Sequence, residues 1–223
     1  GRRCDLGAHM QMDQMFAAQA LAMNGVAEAL REQLINDSMY MLILHEIGHT
    51  LGLTHNMRAS QLQPDVFDEV AVAATGLSGS VMDYEAVNVA PPGQAQTPFY
   101  QNRPGLYDHW AIEYGYAPSL AEKAAEQERL QTLLARSTEP ELVYGNDADD
   151  MRRPGRGIDP HINIYDHSGD AVGYAEQRLQ LVRAMRADLL ENYQGETYQA
   201  LYNSHVLLMN QLSRSGGVVS RYV

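Results

Sequence analysis

The stretch His45-Glu46-Ile47-Gly48-His49-Thr50-Leu51-Gly52-Leu53-Thr54-His55 reads H-E-x-x-H-x-x-G-x-x-H, and the rest of the chain is read outward from it. On a helix, residues four apart project from one face, so His45 and His49 present two imidazoles to a single point. The third, His55, reaches that point only if the helix stops and the chain turns sharply, and Gly52 supplies the backbone freedom for such a turn. Three neutral nitrogens leave one position of a tetrahedral zinc ion open, as a catalytic site requires; a closed structural site would need a fourth protein ligand. Glu46 is rotated about 100° around the helix from His45. That turn lets its carboxylate address water at the open position, which makes it the expected general base and proton carrier. The reaction class this pattern implies is metal-assisted hydrolysis of a peptide bond.

Working outward, Met39 to Leu53 is apolar on most faces around the motif, as a buried helix should be, and Asn36-Asp37-Ser38 reads as its cap. From about Met10 to Leu34 the chain is rich in Ala, Met, Leu, Gln and Glu, which predicts one long helix with a soft spot at Gly25. Residues 58–116 are punctuated by Gly76, Gly79, Pro91-Pro92-Gly93 and Pro104-Gly105 and read as loops and short turns. Ser119-Leu120-Ala121-Glu122 has the form of a capping box, opening a helix to about Arg136 with Leu120, Leu130, Leu133 and Leu134 inward. Two amphipathic helices follow, Asp170 to Asn192 and Glu196 to about Arg214, with a frayed tail from Gly216. Strand signals are scarce, and the expected class is mainly α with long loops. The boundaries fall as a zinc-binding catalytic subdomain over 1–116 and a helical C-terminal subdomain over 117–223 packed on it.

Composition sets the outer limits. The 223 residues, 45% hydrophobic and 20% charged, suffice for one core. With 28 acidic against 16 basic residues the formal charge is −12, which opposes binding to phosphate backbones or anionic membranes, so no nucleic-acid partner is expected. No apolar run approaches the roughly 20 residues of a membrane span. The single cysteine, Cys4, forms no intramolecular disulfide and reads as a plain thiol.

The motif resembles that of the metzincin clan of zinc peptidases, whose second hallmark is a methionine-containing turn beneath the metal. Ser80-Val81-Met82-Asp83-Tyr84 looks like that turn. By this resemblance Met82 is the apolar floor under the histidines. Tyr84 stands where astacins and serralysins carry a tyrosine, and is expected to donate a hydrogen bond to the oxyanion; packing as a core aromatic is its alternative. A closer resemblance is to the Met-zincin domain of large bacterial zinc-dependent metalloproteases. Its H-E-x-G-H-T-L-G-L-x-H-N and following A-S recur as His45 to Asn56 and Ala59-Ser60, and its G-x-Y-D-x-W-A-I-E-Y-G-Y recurs as Gly105 to Tyr116. The resemblance implies an extracytoplasmic bacterial protein: secreted, periplasmic or outer-membrane attached. Metzincins place a mixed sheet before the zinc helix, and its edge strand pairs with the substrate backbone. Here only 44 residues, reading as helix, precede His45. The expectation is therefore the zinc-helix half of a split catalytic domain, its β-sheet in an upstream part of the parent chain. Protein or peptide is the expected substrate, and a zinc-bound scaffold without turnover is the alternative.

Weaker signals remain. Tyr107, Asp108 and Trp110 suit either packing or steadying of a zinc ligand, since ligating histidines donate their second N–H to a carboxylate or carbonyl. Asp147, Asp149 and Asp150, with Asp159 and Asp166, are hard oxygen donors of the kind that hold calcium, although their spacing fits no standard loop and a solvated acidic stretch is the favoured reading. His109, His161, His167 and His205 have no partner at ligand spacing.

Overall fold

The computed structural model describes residues 6–23, 28–146 and 159–222. Its helices are α1 (Leu6–Met23), α2 (Glu28–Thr50), α3 (Glu69–Thr75), α4 (Leu106–Tyr116), α5 (Lys123–Ala135), α6 (Ala171–Ala187), α7 (Leu189–Asn192) and α8 (Tyr198–Val219), with three 3-10 turns and no strand among the described residues. The mainly helical class and the long connections agree with the sequence reading.

The central element is α2, whose inward positions Leu34, Asp37, Ser38, Met41, His45 and Gly48 recur every three or four residues. α1 lies against it and adds Phe16, Ala17, Ala20 and Leu21 to the apolar core. α6 and α8 pack as a pair, and α8 also lies against α1. One apolar core joins these helices to the strap that follows α3: Val81, Met82, Tyr84, Val87 and Val89 meet Leu181, Val182, Met185 and Leu208 in it.

Several local readings are corrected. Asn36-Asp37-Ser38 opens no helix, because α2 runs straight through it. Asp37 does not compete with the helix backbone; its carboxylate instead accepts from Phe99 N at 2.9 Å and Asn102 Nδ2 at 2.8 Å, docking a distant loop. The long helix read from Met10 to Leu34 is two, α1 ending at Met23 and α2 beginning at Glu28; Gly25 lies outside the described residues, as does Cys4. The capping box at Ser119 does not form. Glu122 precedes α5 without a side-chain cap, and Leu120 N bonds instead to Glu126, which forks with Arg129. Leu120 and Leu134 are exposed. Gly216 and Gly217 stay helical, since Ser215 and Val218 around them are buried and Arg214 is paired with Asp13 of α1.

Candidate metal centre

The sequence that forms α2 also ends it where the site requires. Gly52 sits at φ +88°, Leu53 N bonds to Gly48 O at 3.0 Å and Gly52 N to His49 O at 3.1 Å, the paired bonds of a Schellman motif. The chain therefore reverses, and His55 comes back beneath the helix. The three imidazoles converge: their donor nitrogens lie within 4.8 Å of one another, and among the described residues no other group of three His, Cys, Asp or Glu does so.

Each of the first two rings is aimed by a carbonyl. His45 Nδ1 meets Val81 O at 2.7 Å and His49 Nδ1 meets Leu53 O at 3.1 Å, which fixes the tautomer and turns each Nε2 toward the shared point. His49 Nε2 and His55 Nε2 stand 3.1 Å apart. Two ring nitrogens at that spacing match the edge of a tetrahedron with arms of about 2.0–2.1 Å, so the three histidines fit a zinc ion. Burial pushes the His45 ring down to about 4, against the opposing effect of the Val81 carbonyl; the neighbouring His49 and His55 lower it further. It is therefore neutral near pH 7, as a ligand must be. Glu46, next on the helix, is exposed.

Met82 is fully buried, its sulfur against α2 at Gly48, between His45 and His49 in sequence. A Cβ at Gly48 would collide with its sulfur, so the glycine inside the motif is what admits the methionine. The turn that carries Met82 is held from below by Asp108 at the third position of α4. Its carboxylate accepts from Ser80 Oγ at 2.5 Å, Val81 N at 2.9 Å and Gly105 N at 2.8 Å. Asp108 thus acts on His45 at one remove, through Val81. Gly105 is required because a Cβ there would strike the Gly79 carbonyl. Asn56 completes the frame: its N–H bonds to Met82 O, and its side chain ties to Val143 O and Gly145 N. The three separated motifs are therefore one construction.

Tyr84 is buried with its ring 4.9 Å from that of His55 and 5.5 Å from that of His45. Tyr107 stacks on Tyr144, whose hydroxyl bonds to Thr54 beside His55, and Trp110 Nε1 donates to Leu133 O. Behind the turn lies a buried acidic group. Asp83 accepts from Ser60 N and Tyr84 N, and Asp166 from Ser60 Oγ and Gln61 Nε2. Burial first, then the charge of Asp166, pushes Asp83 well above the carboxylate range. Asp166 is raised to about 7 and Glu85 to about 8, again by burial. Asp159 pairs with Arg58 and His161; Asp147, Asp149 and Asp150 lie outside the described residues.

Two contributors escaped the sequence reading. The Val81 carbonyl is backbone and leaves no residue signature. His9 of α1 touches Tyr84 from 36 positions ahead of the motif, with ring centroids 5.6 Å apart, and nothing in its spacing marks it.

None of the curated proteins and none of the solved structures matches the chain. A family model described as Met-zincin matches residues 27–223, from the start of α2 to the end of the chain. That span holds the three converging histidines, the buried methionine at Gly48 and the α4 segment that supports the turn, and the chain belongs to the Met-zincin family.

Proposed function

We propose that the chain carries the catalytic centre of a zinc endopeptidase, with His45, His49 and His55 as ligands, Glu46 as general base and Tyr84 as donor to the oxyanion. The observation that carries this reading is the convergence of three imidazoles with an exposed carboxylate beside them and, among the described residues, no fourth His, Cys, Asp or Glu in the group. Zinc, when bound, supplies a Lewis acid and makes water nucleophilic near neutral pH. Glu46 takes the proton of the attacking water and returns it to the leaving amine. Val81 O and Leu53 O hold the rings of His45 and His49 in place, and Tyr84 is close enough to the trio to donate to the oxygen that gains charge. The test is zinc content and casein cleavage by the protein beside Glu46→Ala. Zinc in both with cleavage only in the unmodified chain supports the reading; absence of zinc sinks it.

A second reading, a zinc-bound scaffold inactive without its partner, is favoured by one feature. Ile35, Met39, Ile43, Ile47 and Leu51, spaced four apart along α2, are 39–61% exposed, with Tyr40 beside them. Glu46 adjoins this row, so whatever covers it also borders the metal. We assign the row to an upstream part of the parent chain, the place for a sheet that would align substrate. Extracytoplasmic location belongs to the same proposal and rests on family resemblance; no described helix is long and apolar enough to cross a membrane. Cell fractionation of the full-length parent tests it.

A further inference from the structure

Tyr84 touches three imidazoles, and only two of them belong to the metal trio. The third, His9, comes from α1, ahead of the span that the family model matches. We propose that His9 is a positioning residue that sets the Tyr84 ring beside the metal; the inference rests on the peptidase reading above.

Two contacts with Tyr165 fix His9. Its Nδ1 is bonded to the hydroxyl of Tyr165, and its ring lies edge-on to that of Tyr165 at 5.2 Å. Tyr165 reaches this position through a backbone at φ +65°, which costs a bulky residue on the order of 1–3 kcal/mol and persists only where surroundings enforce it. They do so here. Tyr165 N bonds to Tyr84 O at 3.0 Å, and the Arg214 guanidinium stands 4.0 Å from the Tyr165 ring centroid. Arg214 is itself fixed by Asp13, one helical turn after His9 on the same face of α1. Asp13 also accepts from Gln211 at 3.0 Å and from Val87 N at 3.4 Å, three residues beyond Tyr84. α1 therefore grips the strap after the Met-turn at two points, Tyr84 through His9 and Val87 through Asp13. A phenol that must meet an oxyanion gains from such a mount, because a misplacement of about 1 Å in a catalytic group costs on the order of a hundredfold in rate.

The test uses zinc-loaded protein with tyrosines labelled with carbon-13 in the ring, the Tyr84 resonance being identified by its loss in Tyr84→Phe. His9→Gln and the milder Tyr165→Phe, which deletes only the hydroxyl that holds His9, are each expected to shift the Tyr84 resonance while zinc content stays stoichiometric. In turnover, His9→Gln is expected to lower kcat about tenfold or more with KM within about twofold. The double variant His9→Gln/Tyr84→Phe should be no slower than Tyr84→Phe alone, since His9 acts through Tyr84. An unmoved Tyr84 resonance in both variants overturns the proposal, as do rate losses that multiply in the double variant. The resonance decides the mount even if the unmodified chain cleaves nothing, an outcome that would count against the peptidase reading instead.

Discussion

Gly48 and Gly52 occupy adjacent turns of one motif and are required for different reasons. At Gly52 an added Cβ meets nothing within 4 Å, so the demand is the positive φ alone. Gly52→Ala should cost about 1–2 kcal/mol of stability and weaken zinc retention by displacing His55, measured by urea unfolding and chelator competition. At Gly48 the demand is space. Overpacking a buried thioether costs about 1–3 kcal/mol and outweighs the roughly 1 kcal/mol that alanine gains over glycine in a helix. Gly48→Ala is therefore expected to be a net loss near 1 kcal/mol by the same unfolding measurement. Both glycines were legible in sequence as motif positions, but only Gly52 by mechanism. The reason for Gly48 is Met82, far along the chain.

The element that matters most after α2 is the strap from Ser78 to Val89, buried throughout yet built of loop. Its order comes from side chains of other elements, Asp108 above all. Asp108→Asn removes charge from an acceptor of three donors and should lower zinc affinity about tenfold or more through Val81 and His45. Competition with a zinc chelator measures this, and unchanged affinity would show that the turn holds without the carboxylate. The same strap carries the pH response. Burial raises the Glu85 carboxyl from 4.5 to about 8. The folded state then binds more protons than the unfolded chain across that window, and stability falls as pH rises through it, by up to about 1.4 kcal/mol per pH unit. Asp166, raised from 3.8 to about 7, has the same sign; His167, lowered from 6.5 to about 3, has the opposite one and loses stability as pH falls. Glu85→Gln should flatten the decline between about pH 4.5 and 8, followed as the urea midpoint at fixed ionic strength. Parallel curves for the two proteins would mean that Glu85 is not the titrating group.

Across the whole molecule, a five-residue apolar row from Ile35 to Leu51 lies open along the helix that bears His45 and His49. Rows of this length on soluble proteins mark interfaces. Ile35→Glu/Ile43→Glu should leave the unfolding midpoint of the isolated chain nearly unchanged, since surface changes are worth within about 0.5 kcal/mol. The same pair should abolish cleavage in the full-length parent. A destabilised isolated chain would place the row in this chain's own core instead.

The sequence by itself determined which three histidines converge, the turn that returns His55 and the helices on either side of residues 58–116, because each depends on residues within one or two turns of one another; α3 and α4, inside that stretch, it read as loop. It misjudged the caps at Asp37 and Ser119 and the fraying at Gly216, where a local signal competes with a distant partner: Phe99 and Asn102 for Asp37, Glu126 for Leu120, and Asp13 for the helix around Arg214. Only the tertiary structure decided that Val81 O orients His45, that Asp108 accepts from the Val81 N–H and that His9 lies on Tyr84. Those contacts join segments separated by tens of residues, through backbone atoms and side chains that no periodicity links.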